Sequence, residues 1–354
     1  YGEVENLPRV RPGEGIVGHA VVSRKAILVP DVRKDPRYIP AVADVRSELA
    51  IPLLVKDRCI GVFDLESPDV DAFDNDDVEV LTLLASQAAV AIENARLYET
   101  IRSNEVRLEK ELRFAQRVQA AFLPTEAPRR LKGIDLAVRF APAHELGGDL
   151  YDFLSTEPNN LMVAVGDVSG KGVPAALYGA FAGELVRSRT YRRRHSSDVA
   201  SPAAVLSWVN VILHERQLEE YYCTLGYAVF DLKRRTVVVA NSGLPYPIRC
   251  SGPDCRPVEV TGIPLGTFAG SVYEEVTYPM RAGDAFVFCT DGVFEAMDAD
   301  GNEFGADRLV QTIAESRALG AGQIVDAIFR AVADFRGDAP VNDDMTAVVI
   351  RITA

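Results

Sequence analysis

Four stretches of the 354-residue chain place a carboxylate beside glycine, asparagine or threonine where an apolar run begins or ends. ELGGDLYDF carries Asp149, and NLMVAVGDVSGKG carries Asp167. AFVFCTDG carries Asp291, and NDDMTAVVI carries Asp343 and Asp344. One acid in such a place is an ordinary turn residue. Several form a different pattern, because carboxylates drawn together repel and lose hydration unless a cation offsets them. Magnesium and manganese take oxygen ligands and keep waters, so a few acids and a backbone carbonyl suffice. Glycine lets the backbone come close to an ion. The histidines (His19, His144, His195, His214) show no ligand spacing, and only Cys250 and Cys255, in CSGPDC, are close among the five cysteines. That pattern does not complete a zinc site. The cysteines read as scattered thiols in a reducing compartment.

Two glycine motifs invite other chemistry. GDVSGKGVPAA has Gly-Lys ahead of a helix, but Val165 stands where a P-loop needs its first glycine and Gly172 where it needs Ser or Thr. Its glycines shape a strand-to-helix turn, with Pro174 in the first helical turn. GGD also opens the GG[DE]EF hairpin of diguanylate cyclases. There an acid and a phenylalanine follow directly, whereas Leu150 and Tyr151 follow here, and TDG and NDDMT would stay unaccounted for.

The elements that must position these acids follow from patterning. The length predicts two domains. Hydrophobic residues at 48% and charged residues at 25% are ordinary for a soluble globular chain. A net charge of −13 disfavours nucleic acid as a partner. No apolar run nears the roughly 20 residues of a membrane span, so a cytoplasmic location without a membrane partner is expected. A short helix is expected over 13–22, a strand over 26–31, and a hairpin of 48–55 with 59–66 joined by KDR. A helix is expected to start near Asp74 or Asn75 and to run to 123, since no Gly or Pro interrupts 76–123. Within it Ile101, Leu108, Ala115 and Phe122 recur every seven residues, with Leu97 and Val118 near the seam and Asn104 and Glu111 spoiling it. A parallel homodimer through 92–122 and a monomeric amphipathic linker both fit. Beyond Pro124, strands are expected at IDLAVRF, NLMVAVGDVS, TLGYAVFD, TVVVANSG, DAFVFCTDG and MTAVVIRI. Helices are expected at 173–192, 202–219, 306–316 and 322–335. Strand runs with grouped helices predict an α+β layered domain.

GGDLYDF, GDVSGKGVPAAL, TDGVFEA and NDDMTAVVI, in this order, resemble the SpoIIE-type branch of the metal-dependent (PPM) serine/threonine protein phosphatases. GEGIVGHAV, ILVPDV, the IPLLVKDRCIGVFDLES hairpin and the helix after it resemble a GAF domain. The match lacks that domain's opening helix and strand, and residue 1 is Tyr, so an N-terminal truncation is expected. The resemblance implies a GAF-like α/β sensor domain over 1–98, a helical linker over 99–124 and a phosphatase domain over 125–354. The phosphatase domain would be an α-β-β-α sandwich of two mainly antiparallel sheets. It implies two Mn²⁺ or Mg²⁺ ions, with Asp167 bridging both and Asp291 and Asp343 holding one. Asp149 and the Val168 carbonyl would hold the other, and Asp344 is second choice to Asp343. Asp149, Asp167 and Asp291 would act through a metal-activated water that attacks phosphorus in line. The implied substrate is a phosphorylated anti-anti-sigma (STAS) protein, with an unidentified signal at the GAF domain. Relatives read NAGHPP where this chain reads NSGLPYP, so Leu244 replaces a histidine. Lys171 is a candidate phosphate contact or a solvated turn residue. A gated or inactive interaction module is the rival reading. Rotation or pairing of helix 76–123 could reposition GGD and gate a metal.

Overall fold

The computed structural model describes residues 10–40, 42–124, 132–155, 159–192, 201–218 and 220–353. It divides into two compact units, Tyr1–Leu108 and Glu109–Ala354, and the division falls inside one helix. The basic run at 187–195 ends outside the described residues.

The N-terminal unit is a three-stranded antiparallel sheet in the order β1-β2-β3 (Ile27–Val29, Ser47–Val55, Arg58–Ser67). Helix α1 (Gly15–Ser23) packs Ile16 and Ala20 against Val29 and Ala50 on one face. Leu49, Ile51 and Leu53 point the other way, onto Ala85 and Ala89 of α2 (Asn75–Phe122). Both faces of β2 are covered, so β2 is apolar at almost every position and not only at alternate ones. Helix α2 starts where expected. The Asp74 carboxylate accepts the N–H groups of Asp76 and Asp77, and these two acids face the positive end of the helix dipole. One 18-residue window of α2 has a mean hydropathy of 1.2 with only 11% of it buried, a longer apolar stretch than the sequence reading allowed.

The C-terminal unit stacks two five-stranded sheets, antiparallel throughout. One has the order β11-β8-β7-β6-β5 (Glu275–Pro279, Thr236–Asn241, Cys223–Asp231, Asn160–Val168, Leu150–Leu154). The other has the order β10-β9-β12-β13-β4 (Asp254–Pro257, Ile248–Ser251, Ala285–Cys289, Met345–Ile352, Ile134–Ala141). Alternation along β6 explains the layers. Leu161, Val163 and Val165 face the opposite sheet, where Phe286, Phe288, Val348 and Ile350 complete the inner core. Met162 and Ala164 face outward onto α3 (Gly172–Arg192) and α4 (Pro202–Glu215). The outer face of the second sheet is covered by α6 (Gly305–Ser316) and α7 (Ala321–Arg336) through Leu309, Ile313, Ile324 and Ile328. The result is the four-layer α-β-β-α arrangement.

Several elements were not anticipated: β5, β9, β10, β11 and the one-turn helix α5 (Asp291–Phe294). The scattered-thiol reading also needs correction. Cys250 and Cys255 sit directly opposite each other on the β9–β10 hairpin and form a disulfide. Gly252, at φ +60°, makes the tight turn that brings them together. Cys59, Cys223 and Cys289 are free, the last two buried in strands.

Candidate active site

All the candidate acids lie at one end of the sandwich, where strands of both sheets begin or finish. Asp149 immediately precedes β5 and Asp167 is the penultimate residue of β6. These two strands are neighbours in register, Leu150 opposite Gly166. Asp291 follows β12 and starts α5, while Asp343 and Asp344 precede β13; β12 and β13 are neighbours in the other sheet.

The glycines explain how backbone enters this crowded end. A Cβ on Gly147 would lie 2.4 Å from Asp344 Oδ2. One on Gly148 would lie 2.6 Å from the Val168 carbonyl oxygen and 2.9 Å from Asp167 Oδ1. One on Gly292 would lie 2.0 Å from the Asp344 carbonyl oxygen. All three are inside van der Waals contact, so no side chain fits without moving the acids or their backbone.

The acids differ in their support. Asp149 is 2% exposed, and its Oδ2 accepts hydrogen bonds from Thr346 Oγ1 at 2.5 Å and Thr290 Oγ1 at 2.9 Å. Its Oδ1 is buried with no partner. Such an orphaned carboxylate oxygen costs several kcal/mol unless a cation or proton meets it. Burial, then the charge of Asp167, pushes the Asp149 carboxyl well above the carboxylate range, against the pull of the two threonine bonds. Asp167 is pushed up to about 7 by burial and by Asp291 and Asp343. Asp291 is raised by burial and by Asp343, although its Oδ1 accepts the Gly292 N–H at 2.9 Å.

The adjacent pair Asp343 and Asp344 divide their work. Asp344 is 7% exposed, and both its oxygens are occupied: Oδ1 accepts the Ala143 N–H at 2.8 Å and Oδ2 the Gly148 N–H at 2.7 Å. It ties the GGD loop down. Asp343 is half open, and its Oδ2 lies 3.2 Å from Lys171 Nζ. Lys171 Nζ also donates to the Asn342 carbonyl. Lys171 is thus a partner of the acid loop here, with its side chain half exposed. Leu244 is buried in the core between the sheets. Asn241 closes its turn by accepting the Leu244 N–H at 3.0 Å and donating to the Leu244 carbonyl at 2.7 Å.

Three residues at this site escaped sequence reading. Thr290 and Thr346 border the TDG and NDDMT motifs, and their adjacency to the acids was the available signal. Gln119 of α2 carried none, because a glutamine in a polar helix looks like any solvated residue. Its Nε2 donates to the Gly147 carbonyl at 2.6 Å and its Oε1 accepts the Gly147 N–H at 3.4 Å. Gln119, Phe122, Asp149, Tyr151, Gly183 and Arg187 line a cleft between the end of α2, β5 and α3.

The family model described as Stage II sporulation protein E (SpoIIE) matches residues 157–353. A GAF domain model matches residues 1–93. The chain is 25% identical over 256 residues to the phosphoserine phosphatase RsbU of Bacillus subtilis (strain 168), covering 72% of this chain and 73% of that protein. It is 35% identical over 74 residues to the free methionine-R-sulfoxide reductase of Saccharomyces cerevisiae (strain ATCC 204508 / S288c), covering 21% of this chain and 41% of that protein. Among solved structures, the SiaA-PP2C domain of Pseudomonas aeruginosa superposes with a TM-score of 0.60 at 20% identity, covering 70% of this chain and 98% of that one.

Proposed function

Because the chain belongs to the SpoIIE family, as a PPM-type serine/threonine phosphatase with a GAF domain ahead of it, we propose that it hydrolyses phosphoserine or phosphothreonine on a protein with the help of divalent cations. The observation that carries this is the buried, unpartnered Asp149 Oδ1 within a set of acids whose pKa values are raised by burial and then by one another. The glycine cradle adds to the fit, since the missing side chains let the GGD backbone lie directly against Asp344, Asp167 and the Val168 carbonyl. Asp149, Asp167, Asp291, Asp343 and the Val168 carbonyl would hold two Mn²⁺ or Mg²⁺ ions. Asp344 would position rather than ligate, since backbone N–H groups already occupy both its oxygens. When bound, such ions supply Lewis acidity that lowers the pKa of water and offsets phosphate charge.

The chain's own residues do the rest. Thr290 and Thr346 fix the Asp149 carboxylate so that its free oxygen points away from them. Asp344 holds Gly148, and through it the height of Asp149 above Asp167. Lys171 offsets part of the Asp343 charge before substrate arrives, and contact with a phosphate oxygen would replace its bonds to Asp343 and the Asn342 carbonyl. Cys289, buried with its thiol pKa pushed far up, is no nucleophile.

The substrate we propose is a phosphorylated STAS-type anti-anti-sigma protein, in a cytoplasmic partner-switching circuit. Similarity to a phosphoserine phosphatase and the family resemblance support it. Dimerisation through α2 is also part of the reading. Val80, Leu83, Val90, Leu97, Ile101 and Leu108 follow a heptad seam, and each is more than half exposed. Gln119 then gives the N-terminal unit a route to the site, because turning α2 would withdraw its two bonds from Gly147. Gln119→Leu should weaken Mn²⁺ binding; unchanged affinity and rate would dismiss that route.

The deciding experiment measures hydrolysis of an aryl phosphate and a phosphoserine peptide with Mn²⁺, with chelator, and in Asp167→Asn. Metal-dependent turnover lost by at least about two orders of magnitude in the variant is expected. No turnover with either metal would favour the gated or inactive interaction module instead.

A further inference from the structure

The end of the sandwich opposite the acids carries a basic groove that takes no part in this chemistry. Strands β10 and β11 are the edges of the two sheets, and a groove of about 510 Å³ opens between them, lined by Arg249, Arg256, Tyr278, Pro279 and Arg281. Register fixes its place. Arg249 pairs with Phe286 near the start of β12, whereas Asp291 lies just beyond the other end of that strand. Ile248 and Cys250 join the outer core, so Arg249 between them points inward, onto Tyr278 and Phe286. Arg256 lies directly opposite Arg249 on the hairpin and shares its face. Like charges so placed destabilise a sheet, and these strands are only four residues long. The Cys250–Cys255 disulfide, one pair further along, holds the hairpin closed in spite of them.

The guanidinium of Arg249 is fixed. Its carbon lies 5.1 Å from the centre of the Tyr278 ring, and its Nη2 donates to the Pro279 carbonyl at 3.1 Å and to Asp284 Oδ2 at 3.4 Å. Its Nε is buried with no partner. Arg256 meets Asp254 at 3.7 Å, with both side chains mostly exposed. Arg281 gives its backbone N–H to Asp284, but its guanidinium has no acidic partner among the described residues. The β7–β8 turn adds Lys233, Arg234 and Arg235, because the Arg235 carbonyl accepts the Met280 N–H at 2.8 Å, next to Arg281. Among these three, Arg234 has an acid, Asp231 at 3.7 Å. In a chain of net charge −13 such a gathering of cations is local, and it draws anions to this end.

We propose that this groove binds the phosphate group of a small organic phosphate. Guanidinium forks match phosphate oxygens. Forks that converge from different strands suit a tetrahedral group with oxygens on several sides better than a planar carboxylate with two. The groove's volume falls within the range of small-ligand sites, about 300–1,000 Å³, so phosphate fills only part of it. The part bordered by Tyr278, Pro257 and Pro279 takes the organic body. A phosphorylated residue of a protein substrate is the poorer occupant, because here it would lie at the far end of the sandwich from the acids. The site is independent of the phosphatase reading: binding is measured with chelator, when the C-terminal acids repel the same anion.

The test is calorimetric titration of the full chain, with chelator and at low salt, using adenosine monophosphate, glucose 6-phosphate and free phosphoserine, each beside its dephosphorylated counterpart. A phosphoserine peptide probes the protein source. At least one small phosphate should bind and its counterpart should not. Arg256→Gln and Arg281→Gln should each weaken binding at least about fivefold. Without ligand, both variants should melt at or above the parent temperature, because each removes a repelling charge. That readout separates lost binding from lost fold. The proposal is overturned if the dephosphorylated compound binds equally well, or if both variants leave affinity unchanged. It is equally overturned if Lys171→Gln and neither arginine variant removes binding, which would put the anion at the acids. Binding of the phosphopeptide in place of the small phosphates, or no binding at millimolar concentration, also overturns it.

Discussion

The two acid groups of this chain are built from the same residue types and supported in opposite ways. In the C-terminal unit hydrogen-bond donors support four of the five carboxylates: two hydroxyls on Asp149, two backbone N–H groups on Asp344, and one backbone N–H each on Asp291 and Asp343. In the N-terminal unit Glu48, Asp64 and Glu66 meet only through strand register and find no such donors among the described residues. Rigid orientation matters where a small hard cation demands fixed oxygen geometry. Burial raises the carboxyls in both places, so the direction of the shift does not by itself separate the two sites.

The comparison breaks first at the glycines. Gly148→Ala would press a methyl against the Val168 carbonyl oxygen and Asp167 Oδ1. The nearer of the two is a backbone atom, and forcing a methyl into such a site costs about 1–3 kcal/mol. The expected result is Mn²⁺ affinity reduced at least about tenfold, with a deeper loss of turnover. In the N-terminal unit a methyl on Gly61 would meet only the Leu53 side chain, at 3.1 Å. Gly61→Ala should leave metal binding and turnover untouched. Equal effects from the two variants would mean that the GGD cradle holds nothing.

The pair Asp343 and Asp344 sharpens the contrast between holding a cation and holding the loop. Asp343→Asn removes a charge next to Asp167 and Asp291 and should cost turnover and metal affinity without changing the melting temperature of the metal-free protein. Asp344→Asn replaces one acceptor oxygen by a donor facing a backbone N–H. It should lower the metal-free melting temperature by several degrees, through about 1–3 kcal/mol of unsatisfied hydrogen bonding. Thermal unfolding with chelator, run beside Mn²⁺ titration, separates the two. A destabilised Asp343→Asn with an undisturbed Asp344→Asn would exchange their roles.

Much of this was legible in the sequence because the strands of the core run apolar on both faces. NLMVAVGDV and AFVFC read as buried strands, and the uninterrupted run after Asp74 read as one long helix. The acids were legible because each abuts such a strand. The edges were not. LYDFL follows a glycine turn that dominates its appearance, and β9, β10 and β11 are four or five residues long with proline nearby. The CSGPDC disulfide went unread because the spacing alone gives a turn and not its cross-strand register. The choice between Asp343 and Asp344 favoured Asp343 by resemblance; the geometry adds what Asp344 does. Nothing in IPLLVKDRCIGVFDLES announced an acid cluster, because Glu48, Asp64 and Glu66 come together only when the hairpin register is known.

The smallest expected effect, on stability against pH, tells the two sites apart in one titration. Asp167 rises from 3.8 in a free chain to about 7, and Glu48 from 4.5 to about 8. Each binds its proton more tightly folded than unfolded, so each contributes stability that is full below pH ~4 and is lost as pH rises through ~7–8. The metal-free protein should therefore melt a few degrees lower at pH 8.5 than at pH 5. Mn²⁺ should replace the lost proton only at the C-terminal acids, so saturating metal should remove part of the slope. Glu48→Gln should remove the other part, and the two together should flatten it. If Mn²⁺ alone abolished the slope, the N-terminal acids would carry no buried charge, and the contrast between the two sites would lose its physical basis.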